Sequence, residues 1–166
     1  MHPWARFATI QKTCCQRAEV VITAGDAARI GRHTGRQDFA ELRAPHDPTY
    51  LDQDDDPNWA KYTVEADGRR RVLRRRADGS CTFLSEFGCC LPTEVRPLVC
   101  RLYPHSYTES GVVGVEGEYC PVERLVPPGL TLLTVLGMRP DEARRWHRML
   151  YDELRTGAES VRTREG

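Results

Sequence analysis

Short apolar runs separated by capping and turn residues characterise the first part of the chain. Residues 18–22 are apolar and largely β-branched, which predicts a short strand. Thr23 follows this run and Asp26 stands three positions later, a spacing typical of a capping box at the start of a helix. We therefore predict a helix that begins at about Asp26 and ends near Gly31 or Gly35, because glycine commonly terminates a helix.

The next part of the chain is predicted to run from a helix through a loop into a hairpin. A second short helix is predicted over residues 37–43. Residues 45–58 are rich in proline and aspartate, which indicates an irregular loop. A β-hairpin should follow, with strands over residues 61–65 and 71–75 and an Asp-Gly turn at residues 66–68, since Asp-Gly favours hairpin turns.

Predicted turns, helices and strands also flank several of the cysteines. A second Asp-Gly pair at residues 78–79 predicts a turn that leads into Cys81. Residues 96–103 are predicted to form one or two helical turns, which Pro104 ends. Residues 111–119 mix small and β-branched residues, which predicts a strand or hairpin.

The C-terminal part has a helical pattern. A short helix is predicted over residues 128–137 and a longer one over residues 140–155, with a frayed tail after Gly157. The positions that recur at helical spacing and should face inward are Ala143, Trp146, Leu150 and Leu154. The whole pattern predicts one small α+β domain over residues 1–166, with a loop-rich cysteine-cluster core, short strands or hairpins and a C-terminal helical segment over residues 128–156.

The net charge of the chain does not indicate a macromolecular partner. The chain has 24 basic and 24 acidic side chains, so its net charge predicts neither a nucleic-acid nor a membrane partner. A run of arginines over residues 69–76 is interpreted as a solvated surface, with a local phosphate-binding or partner surface as the alternative. The longest apolar stretch, near residues 130–138, is too short to span a bilayer, and the N-terminus lacks the apolar region of a signal peptide. We therefore expect a cytoplasmic protein.

The cysteines are the main chemical signal. The chain has seven of them, an odd number that cannot pair fully within one chain. In a reducing compartment such a set is more typical of metal binding or catalysis than of disulfides. Thiolates are soft ligands that select zinc and iron–sulfur clusters, and four complete a structural zinc site or hold a typical cluster. There is no compact Cys-x2-Cys pair, so the site would be assembled by tertiary folding rather than by a zinc ribbon.

Three motifs in the centre of the chain resemble a known family. They are a Cys-x-Phe-Leu step at residues 81–84, a Gly-x-Cys step at residues 88–90 and an Arg-Pro-x-x-Cys-Arg-x-Tyr-Pro step at residues 96–104. Together with the adjacent cysteines at residues 14–15 and a last cysteine before Pro121, they resemble the YkgJ-type cysteine-cluster family, also described as a zinc- or iron-chelating CxxCxxCC domain. The resemblance spans about residues 13–121.

The resemblance implies a set of metal ligands. These are Cys14, Cys15, Cys81, Cys90, Cys100 and Cys120. Cys89 is then an additional cysteine, either a spare ligand, a resolving thiol or a buried small apolar residue. This chain departs from the family where two further early cysteines are normally found, because Ala8 and Gln11 stand there. The departure implies one metal centre instead of two, a non-cysteine ligand, or an open coordination position.

Other residues near the cysteines have candidate roles. Arg96 and Arg101 flank Cys100 and are predicted to neutralise an anionic thiolate–metal centre, or else Arg96 pairs with a surface carboxylate. His105 is either a non-thiolate ligand or proton shuttle, or a hydrogen-bonded or surface residue. His147 is interpreted as structural.

Three functions follow from these interpretations. The first is a redox or metal-dependent accessory module that holds an iron–sulfur cluster, most simply of the 4Fe–4S type, or zinc. The second is a metal-dependent enzyme that modifies a peptide or small molecule, since members of this broad family resemble part of flagellin lysine-N-methylases; this chain shows no recognisable S-adenosylmethionine-binding fold. The third is a structural zinc domain that binds another protein. Whether the protein is an enzyme is left open at this point.

Overall fold

Short antiparallel strand pairs and a few helices form the fold. The computed structural model describes residues 19–45, 56–115 and 126–165. Within these ranges the helices are α1 (Ala24–Thr34), α2 (Asn58–Thr63), α3 (Leu98–Leu102), α4 (Leu132–Val135) and α5 (Pro140–Glu165). The strands are β1 (Ala40–Arg43), β2 (Arg70–Leu73), β3 (Leu84–Ser85), β4 (Gly88–Cys89), β5 (His105–Thr108) and β6 (Gly111–Val115), paired β1–β2, β3–β4 and β5–β6. The predicted small α+β domain is confirmed.

Helix α1 has the ends that its sequence predicts. The Thr23 hydroxyl accepts a hydrogen bond from Asp26 N at 2.9 Å, and Asp26 Oδ2 accepts one from Thr23 N at 3.0 Å. These reciprocal bonds are the predicted capping box. At the other end Gly35 adopts the left-handed conformation with φ 69°, and its N–H donates to the Gly31 carbonyl at 2.9 Å.

Strand β1 corrects one prediction of a helix. The helix predicted over residues 37–43 is wrong, because β1 lies there and pairs antiparallel with β2. Phe39, which precedes β1, is buried in the core, and this burial with strand pairing outweighs local helix propensity. On the other side of β2, Val21 forms an isolated bridge with Val72. The strand predicted over residues 18–22 is therefore limited to this bridge.

Helix α2 occupies most of the segment that is predicted as the first strand of the hairpin. Residues 61–65 are predicted as a strand, but most of them belong to α2, whose Trp59 and Tyr62 pack against buried side chains of α5. The turn itself is confirmed, since Gly68 has φ 82° and its N–H donates to the Glu65 carbonyl at 2.9 Å. Contacts with a helix distant in sequence decide the conformation here. Most of the loop predicted over residues 45–58 lies outside the described residues.

Helix α5 is longer than predicted. It begins at Pro140 as expected but continues through Gly157 to Glu165, so the predicted end at residue 155 and the frayed tail are wrong. Its four predicted inward positions, Ala143, Trp146, Leu150 and Leu154, are all buried. The preceding helix α4 is shorter than the predicted 128–137. Among the described helices none is both long and apolar enough to cross a bilayer.

Two buried clusters lie on either side of the cysteine-bearing segment. The first, here called the α5 core, consists of Leu98, Leu102, Ala143, Trp146, Leu150, Tyr151 and Leu154. The second, here called the sheet core, consists of Ile22, Ile30, Phe39, Leu73, Phe83 and Leu91. The segment from Phe83 to Leu102 contributes side chains to both clusters. Burial of these side chains therefore fixes the path of the chain past Cys89, Cys90 and Cys100.

Alanine substitutions at two glycines are expected to change stability in opposite directions. At Gly35 the left-handed backbone strains any side chain, so Gly35→Ala should lower the free energy of unfolding by about 1 kcal/mol. Gly157 lies inside α5 with no atom within 4 Å of an added Cβ, so Gly157→Ala should raise it by about 0.5–1 kcal/mol. Urea denaturation measures both changes. A loss of stability in Gly157→Ala would contradict a continuous α5.

Candidate metal centre

The turn that precedes Cys81 forms as predicted. Arg76 N donates to the Ser80 carbonyl at 2.8 Å, and the Asp78 carboxylate accepts hydrogen bonds from Ser80 N and Ser80 Oγ at 2.9 and 2.6 Å. Cys81 then forms an isolated antiparallel bridge with Arg75. These hydrogen bonds from Ser80 lower the pKa of the Asp78 carboxyl below its usual range. The turn therefore delivers Cys81, half-buried, to the edge of the sheet core.

The backbone of Phe83 contacts the sulfurs of two predicted ligands. Phe83 N donates to Cys81 Sγ at 3.4 Å. The Cys90 thiol and Cys90 N both donate to the Phe83 carbonyl oxygen, each at 2.9 Å. Phe83 itself is fully enclosed in the sheet core, which holds this backbone in place. Cys81 and Cys90 are nine positions apart in the sequence, and both therefore contact the backbone of Phe83, the residue before β3.

The adjacent residues Cys89 and Cys90 have different surroundings. Cys89 ends β4 and packs against the sheet core, whereas Cys90 is exposed. Successive side chains of an extended chain point to opposite faces, which explains the difference. This arrangement agrees with the interpretation of Cys90 as a ligand and of Cys89 as an additional cysteine packed like a small apolar residue.

Cys100 lies on the short helix α3. The helical turns predicted over residues 96–103 are confirmed, although Pro97 is the residue before the helix rather than its first member. Leu98 and Leu102 on either side of Cys100 are completely buried in the α5 core, so Cys100 is held on a fixed face. Burial chiefly, and the charge of Cys100 to a smaller extent, raise the pKa of Tyr107.

The start of α3 is anchored to α1 and α5 through buried polar groups. Asp26 Oδ1 accepts hydrogen bonds from Leu98 N at 3.1 Å and from Arg29 Nη2 at 2.8 Å. Arg29 in turn binds both carboxylate oxygens of Glu153, at 3.0 and 2.9 Å, and Thr23 Oγ1 donates to Glu153 at 2.6 Å. We call Thr23, Asp26, Arg29 and Glu153 the polar hub. Burial raises the pKa of Asp26, and the hydrogen bonds from Thr23 and Arg29 oppose that rise.

The two arginines beside Cys100 brace the segment that leads to it. Arg96 Nε donates to the Leu91 carbonyl at 2.9 Å. Arg101 Nε and Nη2 donate to the carbonyls of Arg96 and Glu94 at 2.8 and 2.7 Å. The Arg101 side chain is fully buried, its Nη1 lies 3.5 Å from Glu94 Oε2, and burial lowers its pKa. An arginine keeps its proton even so, which places a positive charge inside the protein next to the cysteine segment.

The histidines differ in their surroundings. His105 begins β5, and its Nε2 is buried with no hydrogen-bond partner among the described residues. Burial lowers the pKa of His105, so its imidazole is neutral at pH 7. His147 is buried on α5, lies 2.7 Å through Nε2 from the Thr108 carbonyl oxygen and packs against the Tyr151 ring. The structural interpretation of His147 agrees with these contacts.

The described part of the chain does not contain a complete metal site. Within residues 19–45, 56–115 and 126–165, no group of three or more histidine, cysteine, aspartate or glutamate side chains is arranged to hold a metal ion. Cys14, Cys15 and Cys120 lie outside these ranges. The thiol donors on the described residues, Cys81, Cys90 and Cys100, are of the type that zinc and iron prefer. Because no three of the described cysteines are grouped, a site of four thiolates requires at least two cysteines from outside the described residues.

Sequence reasoning located the cysteines and missed most of the polar hub. Only the Thr23–Asp26 spacing carried a local signal, through the capping box. The hydrogen bonds between Arg29 and Glu153 and between Asp26 and Leu98 join positions 124 and 72 residues apart, so no local sequence pattern predicts them.

Comparison with known proteins identifies the family. Residues 12–121, about two thirds of the chain, match the CxxCxxCC family, described as "Putative zinc- or iron-chelating domain". No curated protein and no solved structure matches the chain. The matched range contains all seven cysteines and the hairpin and helix that carry Cys81, Cys90 and Cys100. This chain therefore belongs to the CxxCxxCC family of zinc- or iron-chelating domains.

Proposed function

We propose that this protein is a redox or metal-dependent accessory module whose cysteines hold an iron–sulfur cluster of the 4Fe–4S type. Four thiolates hold such a cluster, which supplies one-electron transfer when bound. The proposed ligands are drawn from Cys14, Cys15, Cys81, Cys90, Cys100 and Cys120. Metal binding in general is supported by the zinc- or iron-chelating description of the family.

One observation carries the proposal, namely the contact of two proposed ligand sulfurs with one buried residue. Cys81 Sγ accepts a hydrogen bond from Phe83 N at 3.4 Å, and Cys90 Sγ donates to Phe83 O at 2.9 Å. Because Phe83 is locked in the sheet core, the backbone that carries Cys81 and Cys90 is held in place before any metal binds, and the Cys90 S–H···O bond is given up when the thiol loses its proton to become a ligand. A preorganised pair lowers the entropic cost of assembling the remaining ligands around a metal.

Positive charge near the cysteines favours an anionic centre. The Arg36 guanidinium lies 5.5 Å from the centre of the Phe83 ring. The hydrogen bond to Asp38 chiefly, and the charge of Cys90 as a smaller contribution, raise the pKa of Arg36. Arg101 adds a buried positive charge beside Cys100. Cations near thiolate sulfur stabilise the deprotonated ligand and tune the potential of a bound cluster, which supports an anionic thiolate–metal centre at these cysteines.

Protein purified without oxygen is expected to contain iron and acid-labile sulfide in equal amounts, with broad visible absorption that dithionite bleaches reversibly. Metal analysis, sulfide determination and a visible spectrum on the same sample test this. Cys90→Ser should lose the absorption and Cys89→Ser should keep it, because only Cys90 is a proposed ligand. Zinc alone, with neither sulfide nor colour, would contradict the cluster and favour a structural zinc domain.

A second candidate is a metal-dependent enzyme that acts on a peptide or small molecule. Ala8 and Gln11 stand where the family normally has cysteines, which favours a coordination position that an exogenous ligand can occupy. Cyanide added to the reduced protein distinguishes the two candidates. A spectral change would favour the enzyme, and an unchanged spectrum would favour the accessory module with a closed centre.

A further inference from the structure

A groove of about 690 Å³ lies between helix α5 and the β5–β6 hairpin. This volume falls within the range of small-molecule sites in proteins. Its lining comes from one face of α5, from the turn between β5 and β6, and from His105 at the start of β5. None of the described cysteines lines it. The groove is therefore a feature that the proposed cluster does not explain.

Two arginines on the rim of the groove have no acidic partner in the part of the chain that the structure describes. Arg144 and Arg148 are four positions apart on α5, so their side chains lie on the same face of the helix, and both are exposed. Neither forms a salt bridge with a described residue. Like charges at this spacing destabilise a helix when nothing neutralises them. An anion bound between them would remove that repulsion.

The third arginine of the groove is already neutralised. Arg155 forms ion pairs with Glu109 at 3.1 Å and with Asp152 at 3.0 Å. Glu109 also accepts hydrogen bonds from Asn58 and Tyr62 at 2.6 and 2.9 Å. The acidic side chains that line the groove are therefore occupied by Arg155 and by neighbouring donors. The positive charges of Arg144 and Arg148 at the rim are therefore not paired with any described carboxylate.

The groove also has an apolar wall. His105 lines the groove, but its Nε2 is enclosed by protein atoms and does not face the open space. The Tyr151 hydroxyl is committed to Asp56 at 2.5 Å, so only its ring faces the groove as an apolar surface, together with Ala143 and Val112. An organic anion suits a charged rim beside an apolar wall better than a bare ion does.

We propose that this groove binds a small organic anion through an oxyanion group, phosphate or carboxylate, held by Arg144 and Arg148, with the apolar part of the anion against Val112 and Tyr151. Arginine recognises both oxyanions through paired, charge-assisted hydrogen bonds. A metal ion is a poor alternative, because no set of three metal-ligating side chains exists among the described residues. This inference is independent of the proposed cluster.

Isothermal titration calorimetry of the full chain, purified without oxygen, tests the proposal with three aromatic probes of similar size. Phenyl phosphate and benzoate carry the two oxyanions, and benzyl alcohol is the neutral control. Saturable binding of at least one anion is expected, and none of benzyl alcohol. The stronger anion identifies the preferred group. Absence of saturable binding by both anions, or equal binding of benzyl alcohol, would overturn the proposal.

Charge variants locate the site. The double variant R144Q/R148Q should weaken binding at least about 10-fold, because both charged donors are lost. The control R145Q removes the same charge from the neighbouring position, where Arg145 faces Glu94 at 3.2 Å, and should change affinity less than about twofold. Equal weakening by R145Q would indicate diffuse surface charge and would contradict the site. If the double variant does not fold, R148Q alone should still weaken binding severalfold, and unchanged affinity there would also contradict it.

Discussion

Cys100→Ser is expected to lose its metal and much of its thermal stability together. The serine hydroxyl is a poor ligand for zinc or iron compared with a thiolate, so metal content should fall at least about 10-fold. Cys100 lies between Leu98 and Leu102, both completely buried, so its position is fixed by packing. Because a metal held by distant residues stabilises a loop-rich fold, the melting temperature should drop by roughly 10 °C.

Cys89→Ser is the matched control for this variant. Cys89 packs against the sheet core and is not among the proposed ligands, so serine there should leave the metal in place and cost about 1 kcal/mol or less of stability. Metal analysis and thermal melts of both variants, prepared in parallel without oxygen, make the comparison. Full metal content in Cys100→Ser would remove Cys100 from the ligand set. Equal damage in Cys89→Ser would mean that the Gly-x-Cys step is aligned one residue out of place.

Asp26→Ala is expected to be among the most destabilising substitutions in the described part of the chain. Asp26 is completely buried, and its carboxylate accepts hydrogen bonds from Thr23 N, Leu98 N and Arg29 Nη2. Alanine leaves these donors without that acceptor and leaves Arg29 with Glu153 as its remaining carboxylate partner. Removing one member of a buried charged pair typically costs about 3–5 kcal/mol. Urea denaturation of apo protein measures the loss without a contribution from metal.

The control for Asp26→Ala is an exposed aspartate in a salt bridge of similar length. Asp141 lies 2.9 Å from Arg139, with both side chains more than half exposed, so Asp141→Ala should change the free energy of unfolding far less than Asp26→Ala does. Asp26→Ala should also lower metal content, since Leu98 N anchors the helix that carries Cys100. Similar losses of stability in the two variants would show that the polar hub contributes no more than a surface pair.

Several elements could be predicted because their causes are local. The capping box at Thr23 and Asp26, the Asp-Gly turns and the inward face of α5 depend on residues within one or two turns of each other. The α3 turns beside Cys100 follow from flanking prolines in the same way. Predictions failed where a distant partner decides the conformation, as in β1, which pairs with β2, and in α2, whose Trp59 packs against α5.

For the arginine run over residues 69–76, too, the local sequence pattern predicts the environment of only some of the side chains. Its pattern predicts a solvated surface, and Arg69 agrees, with its exposed ion pair to Asp67. Arg70 does not, because its side chain is 2% exposed and its Nη2 lies 2.7 Å from Glu19 Oε1. A strand alternates its faces, so neighbouring arginines of one run point to opposite environments. Which of them is buried depends on the elements that cover β2, and these come from elsewhere in the chain.

By itself the sequence determined the α+β class, the family and the number and spacing of the cysteines from which the proposed metal donors are drawn. These follow from composition, local periodicity and the spacing of cysteines and prolines. Only the tertiary structure placed Cys81 and Cys90 on the backbone of Phe83, joined Asp26 to Leu98, and left Arg144 and Arg148 beside a groove without an acidic partner among the described residues. The physical reason is that burial and hydrogen bonding between residues far apart in the chain depend on how the elements pack, which local patterns do not encode.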